Sequence, residues 1–202
     1  MTEAWAEFSR ETFGDPYMVW HDGADFRLLL SRWQDEPGLI SEMLRLGLSE
    51  ADPVAAQAIG VLAAEAGDVS DLAGRLREVL PRARGTFRVR VAQALFALAH
   101  DQDLAGPICE VLTGGGPWSE KIEAAIALSA FAPAMTVVQA LAQGVQDKEY
   151  LVRRHSAQTL LTLAGRHTTI EKVPDLWAKI RKDSEPAAWR HAAAELAMPW
   201  TG

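Results

Sequence analysis

The side chains able to do chemistry in this chain are few and scattered. Five histidines occur, at His21, His100, His155, His167 and His191. A metal site needs imidazole, thiolate or carboxylate ligands that converge, and on a helix this means a spacing such as His-x-x-x-His. No two histidines here are four apart. His21-Asp22 and His100-Asp101 are His-Asp pairs, but 79 residues separate them. Cys109 is the single cysteine, so no intrachain disulfide can form, which fits a reducing compartment. It lies in the apolar run Pro107-Ile108-Cys109-Glu110-Val111-Leu112, where a buried small hydrophobe is the plainer reading and a reactive thiol the alternative. No Gly-x-Ser-x-Gly is present, and Gly114-Gly115-Gly116 is not followed by the Lys-Ser/Thr of a phosphate loop. Acid pairs such as Asp22 and Asp25 arise by coincidence in a chain with 27 aspartates and glutamates. These residues predict no catalytic centre, metal or cofactor, and they shift the question to recognition.

Charge is the first guide to a partner. The formal net charge is −7, unevenly placed. Residues 1–80 carry 6 Lys+Arg against 15 Asp+Glu, a net −9, and residues 81–202 carry 14 against 12, a net +2. An acidic half attracts basic partners and repels nucleic acid and anionic lipid over a Debye length of about 8 Å. Acidity for its own sake, to keep a protein dispersed, is the competing account. Met1-Thr2-Glu3-Ala4-Trp5-Ala6-Glu7 lacks the basic and apolar regions of a signal peptide, and no apolar run approaches the roughly 18 residues that span a bilayer. The expected location is the cytoplasm of a bacterium, away from membranes.

The elements that must position these residues repeat along the chain. Four stretches align: Val89-Arg90 with Ala94 and Leu98, Ile122-Glu123 with Ala127 and Phe131, Val152-Arg153 with Ala157 and Leu161, and Trp189-Arg190 with Ala194 and Met198. A weaker copy begins at Pro53, with Ala58 and Leu62. The starts are 36, 33, 30 and 37 residues apart. Apolar residues recur at helical spacing in each copy, and in 86–100 they cover most of the circumference, as in a helix sandwiched between neighbours. Each first helix is followed by a break, at Gly67-Asp68, Asp101-Gln102-Asp103, Pro133 or Gly165. Second helices are predicted over Ser70–Leu80, Leu104–Leu112, Met135–Val145 and about Thr169–Lys182. Upstream, Thr2–Thr12 predicts a capping helix, and Ala24–Trp33 with Pro37–Leu48 predicts a further hairpin. The segment from Phe13 to Phe26 reads as a long loop rich in aromatics and acids. No segment has a strand pattern.

The stretch Asp147-Lys148-Glu149-Tyr150-Leu151-Val152-Arg153-Arg154, continuing through Ala157 and Leu161, resembles the HEAT-repeat family. The likeness covers about residues 50–198, with one strong copy, one good copy and degenerate others. It implies one all-α domain over 1–202, a right-handed α-α superhelix (solenoid) of about five HEAT-like hairpins. Residues 1–50 would cap it and 51–198 would form the repeats. The observed spacing is shorter than the roughly 40–47 residues usual for this class. The resemblance also implies that first helices line the convex side and second helices the concave side. In the family, the repeated arginine pairs with an aspartate near the repeat start, a role for which Asp147 and Asp183 are placed. Arg90, Arg153 and Arg190 then read as structural, with a basic ladder as the alternative.

HEAT-like arrays serve several functions. HEAT-like deoxyhypusine hydroxylases hold two irons through His-Glu dipeptides, and none occurs here. His155 and His191 fall near equivalent repeat positions, but without carboxylates they make a poor metal pair. HEAT-like alkylpurine DNA glycosylases use a basic strip with aromatics. Arg82, Arg84 and Arg88, and Lys172, Lys179, Arg181 and Lys182, could form such a strip, with Trp177, Asp175 and Arg190 as the site. The overall acidity opposes nucleic acid. An assembly scaffold, of the kind associated with bilin lyases, is a further alternative. The leading expectation is a protein-binding module, in concrete form an immunity protein that neutralises a basic bacterial toxin. Its binding residues would be Asp71, Arg75, Glu110, Gln139, Gln143, Lys172 and Asp175 on the second helices, together with Tyr17, Trp20, Asp22 and Asp25 in the N-terminal loop, where Tyr17 and Trp20 read equally as a cap on the open end of the array. Asp71 and Arg75 lie four apart and are expected to pair in part.

Overall fold

The computed structural model of the protein describes residues 1–200, and of Trp20 only the backbone. The described chain holds thirteen α-helices and no strand. It forms two compact units that meet in sequence at Asp101–Gln102, inside the stretch read as one run of repeats.

The first unit contains α1 (Glu3–Phe13), α2 (Pro16–Asp22), α3 (Arg27–Trp33), α4 (Pro37–Ser49), α5 (Pro53–Glu65), α6 (Ser70–Val79) and α7 (Gly85–Ala99). Local chemistry sets their starts. The Thr2 side chain accepts from the Trp5 amide to cap α1, and Asp68 accepts from the Ser70 amide to start α6. Asp52 does two jobs. Its Oδ1 caps α5 by accepting from the Val54 amide, and its Oδ2 accepts from the indole Nε1 of Trp5 at 2.8 Å. The N-terminal helix is thereby tied to the start of α5. Trp5 is fully buried and packs against Phe8 and Phe13. Helix α5 packs on both α3 and α7, while α4 packs on α6.

The second unit contains α8 (Ala105–Thr113), α9 (Trp118–Ala127), α10 (Met135–Gly144), α11 (Tyr150–Leu163), α12 (Pro174–Ile180) and α13 (Pro186–Ala197). Helix α11 lies against α9 and α13, and α8 against α10. A buried bond from Thr159 Oγ1 to the Ala125 carbonyl, 2.8 Å long, crosses from α11 to α9.

Two expectations about elements are corrected. The segment 13–26 is not one long loop, because Asp15 caps a short helix and Pro16 opens it. Proline's missing N–H and fixed φ suit a first helical turn. Gly14 and Gly23, with φ of +106° and +89°, bracket this helix. The helix expected over 169–182 is split. A 3-10 turn, Ile170–Lys172, precedes α12, and Val173 between them is extended at φ −115° and ψ 84°. Pro174 explains the break, since a proline pushes the residue before it out of the helical region.

Small residues let helices touch. A Cβ added at Gly47 would lie 2.6 Å from Trp5 Cζ2 and 2.7 Å from Ala55 Cβ. At Gly144 it would lie 2.2 Å from Ser156 Oγ.

Arg153 is the largest polar exception to an apolar core. It is 0% exposed. Its Nε donates to the Ile180 carbonyl at 2.9 Å, Nη1 to the carbonyls of Asp147 and Lys148, and Nη2 to that of Lys182. Its guanidinium lies 4.2 Å from the centre of the Trp189 ring. The Asp183 carboxylate is 3.8 Å away. Burial pulls the pKa of Arg153 below the ordinary guanidinium value, and Asp183, Asp147 and Glu149 oppose the shift. The expected pairing with aspartate therefore needs correction at Asp147. That residue contributes its backbone carbonyl, and its carboxylate accepts from Lys121 instead.

Two stability outcomes follow from this packing. Gly47→Ala is expected to destabilise the protein by about 1–3 kcal/mol, because Trp5 and Ala55 are both buried and have no room to yield. Arg153→Met is expected to cost about 3–5 kcal/mol by stranding buried carbonyls, whereas Arg190→Met, at an exposed site, stays within about 0.5 kcal/mol. Urea denaturation of the three variants measures all of these. Equal losses at Arg153 and Arg190 would contradict the assignment.

Candidate functional site

The candidate site is the arm that carries α2. Its root is fixed. The Asp25 amide donates to the Phe13 carbonyl at 3.3 Å, and the rings of Phe13 and Phe26 meet edge to face at 5.6 Å. The Asp15 side chain holds the Tyr17 amide at 2.9 Å. The helix so built packs extensively on no other described helix. Two of its apolar side chains face outward: Tyr17 is 65% exposed and Met18 49% exposed, while Val19 is half-buried. The Tyr17 ring stacks on His21, whose Nδ1 lies 2.6 Å from Asp22 Oδ1. An aromatic ring, a thioether and exposed acids at Asp15 and Asp22 thus sit on about two turns of helix. Aromatic side chains anchor protein interfaces, and methionine adapts to irregular partners.

The expected residues of this arm divide. Tyr17 and Asp22 are exposed on it. The side chain of Trp20 lies outside the described residues. Asp25 is at the root and is engaged by Arg27 through Nε and Nη2. Those hydrogen bonds first, and the Arg27 charge also, hold the Asp25 carboxyl down at about 2. It is a neutralised acid rather than an open one. Met18 was missing from the sequence expectation. The Asp15-Pro16 helix start is the signal that could have found it, since a helix here puts Met18 beside Tyr17.

The residues expected on second helices do not form one cluster. Asp71 and Arg75 are on α6 but do not pair with each other. Asp71 accepts from Arg45 of α4, and Arg75 donates to Glu78 three residues on. The nearer geometry of those partners wins over the expected pair. Glu110 is exposed on α8, and Gln139 and Gln143 are exposed on α10, two helices in contact. Lys172 is exposed in the 3-10 turn and, with Arg166, His167 and Thr169, edges a polar hollow of about 290 Å³. Asp175 is exposed in the first turn of α12.

The groups considered for chemistry lie in separate settings. Trp177 makes an edge-to-face contact with Tyr150, ring centres 6.0 Å apart, and shares no hydrogen bond with Asp175 or Arg190 among the described residues. His155 is half-buried on α11, and burial lowers its pKa, with Arg154 adding to the effect. His191 is exposed on α13. Cys109 is half-buried, with Sγ 3.9 Å from the Thr136 carbonyl, and burial raises its thiol to about 11. No family model matches the chain, and neither a curated protein nor a solved structure matches it.

The Cys109 environment sets a pH dependence. A thiol raised to about 11 stays protonated at neutral pH, and its thiolate fraction climbs about tenfold per pH unit up to that value. Alkylation by iodoacetamide should keep accelerating from pH 8 to pH 10. A rate that levels off near pH 9 would mean an ordinary, accessible thiol.

Proposed function

We propose that this chain is a protein-binding module of HEAT-like helical hairpins, arranged as a right-handed solenoid, and that it grips a basic protein through the α2 arm. The observation that carries the reading is the arm itself: a capped helix, fixed at its root, with Tyr17 and Met18 turned to solvent. A helix that packs extensively on no other described helix leaves apolar side chains uncovered, and burying them on a partner is the simplest use of that surface. The partner's charge is argued from the surroundings. Residues 1–74 carry 4 arginines against 14 aspartates and glutamates. The hairpin arrangement draws support from the packing of α5 between α3 and α7, of α4 on α6, and of α11 between α9 and α13. The concrete form is an immunity protein that occupies a basic toxin in the bacterial cytoplasm. Binding, rather than turnover, would then be its whole task.

The test compares the tagged protein with its Tyr17→Ala/Met18→Ala variant. Both side chains are exposed, so thermal melting should be unchanged. A single dominant basic protein, with pI above about 9, should be captured from the native lysate. Its affinity, measured with the purified partner, should fall at least about thirtyfold in the variant, as for one interface anchor of about 2 kcal/mol. Asp22→Lys should chiefly slow association and flatten its salt dependence. Capture that disappears on nuclease treatment, or an equal affinity for the double variant, would remove the reading.

A further inference from the structure

The first unit also contains a cleft of about 490 Å³ between the end of α4, the end of α6 and the start of α7. We propose that this cleft binds a small organic anion, a phosphate or carboxylate group carried on an apolar body.

Two features of its wall carry the assignment. The first is charge. Arg75, Arg82 and Arg84 all line the cleft. They belong to a band, residues 75–90, with six arginines and one glutamate, set in the half of the chain that is otherwise strongly acidic. Among the described residues the only carboxylate paired with the three is Glu78, which accepts from Arg75 at 2.8 Å. Arg84 is braced by its own turn. Its Nη1 donates to the carbonyls of Ala83 at 2.9 Å and Pro81 at 3.4 Å. A guanidinium has five N–H donors, so the rest of that fork remains for a ligand. Arg82 is exposed and takes no side-chain partner among the described residues. Three cations lining one cleft, of which only Arg75 is paired with a carboxylate among the described residues, repel one another, and an anion between them relieves that repulsion. Planar guanidinium groups match the oxygens of phosphate and carboxylate two at a time.

The second feature is the apolar remainder. Leu48, Ala83 and Phe87 are buried and Val79 is half-buried. They give the cleft apolar lining beside its arginines. Its volume falls within the roughly 300–1,000 Å³ usual for small-molecule sites. A bare inorganic ion would leave the apolar wall wet. A neutral hydrocarbon would leave the arginines uncompensated. A molecule with both parts satisfies both. The cleft shares no lining residue with the α2 arm, so this site stands or falls independently of the partner proposed for that arm.

The experiment uses three probes on the whole chain: 1-naphthyl phosphate, 1-naphthol and inorganic phosphate, titrated by calorimetry and followed by amide chemical shifts. Naphthyl phosphate should bind at least about tenfold more tightly than either fragment, with shifts centred on residues 48–51 and 75–87. Arg82→Ala should weaken it by about five- to tenfold and Arg82→Glu by more, and both variants should melt like the parent because Arg82 is exposed. Naphthol binding as tightly as its phosphate would make the cleft merely apolar. Inorganic phosphate binding as tightly would make it a simple anion site. Shifts elsewhere, an unchanged affinity in Arg82→Glu, or displacement of the probe by duplex DNA at far lower concentration would each overturn the assignment.

Discussion

Both units depend on helices coming closer than large side chains permit. At Gly47 the ring of Trp5 and the methyl of Ala55 fill the space where a side chain would begin. At Gly60 a Cβ would already stand 3.4 Å from the Cα of Ala94, and at Gly144 the Ser156 side chain occupies the position. Close approach brings many backbone and Cβ atoms to van der Waals separation, so dispersion compensates for the little area each alanine buries. It also explains the apolar circumference of α5 and α7. A helix whose contacts are its own backbone and methyl groups needs neighbours on more than one side, and α5 has them in α3, α4 and α7. Such a core tolerates loss of volume poorly and gain of volume worse, because the helices have no flexible side-chain layer between them to absorb a change.

The three arginines aligned by the sequence pattern show how far one pattern can differ in energy from place to place. Arg153 is enclosed, bonded to four carbonyls and stacked on Trp189. Arg90 reaches only half-burial and donates to Gln93 on its own helix. Arg190 is exposed. Enclosure at Arg153 follows from the turn between α12 and α13, whose carbonyls at Ile180 and Lys182 point back over α11. Trp189 reinforces this by donating its own Nε1 to the Lys182 carbonyl at 2.8 Å. One turn thus gives one carbonyl to the arginine alone and shares another between the arginine and the indole. A guanidinium is suited to this because its planar donors can satisfy several fixed acceptors at once, which an ammonium could not match in geometry.

These arrangements also mark what could be read from the sequence. Helical periodicity located the helices between residues 51 and 198 except for the break at Pro174, and the breaks at Gly67-Asp68 and Gly165 are borne out by positive φ at both glycines and by the bond from the Ser70 amide to Asp68. Local signals that were present but outweighed account for the differences. Asp15-Pro16 is a helix start, yet the aromatic and acidic content of 13–26 reads as loop. Pro174 interrupts a segment whose apolar spacing continues through it. The other differences have no local signal. Whether Asp147 offers its carboxylate or its carbonyl to Arg153 depends on Lys121, 26 residues away. The pairing of Asp71 with Arg45 rather than Arg75 likewise depends on α4 meeting α6. Contacts between segments decide such choices, and periodicity within a segment carries no information about them.

The first unit carries two opposite surfaces, an acidic arm and an arginine-lined cleft, and their coexistence has a physical consequence. At distances beyond about 8 Å a ligand meets a field that salt has screened and averaged, and over residues 1–80 that average is negative. A large polyanion must bring many charges through this field before any of them reaches Arg82 or Arg84. A small anion brings one or two, and once inside a screening length it meets the arginines alone. Acidic surroundings of this kind would act as a size filter on anions at the proposed cleft site and would favour the approach of a basic protein to the arm. Under the two proposed readings, segregating the charges in this way would let one small unit discriminate between a macromolecular cation and a small anion.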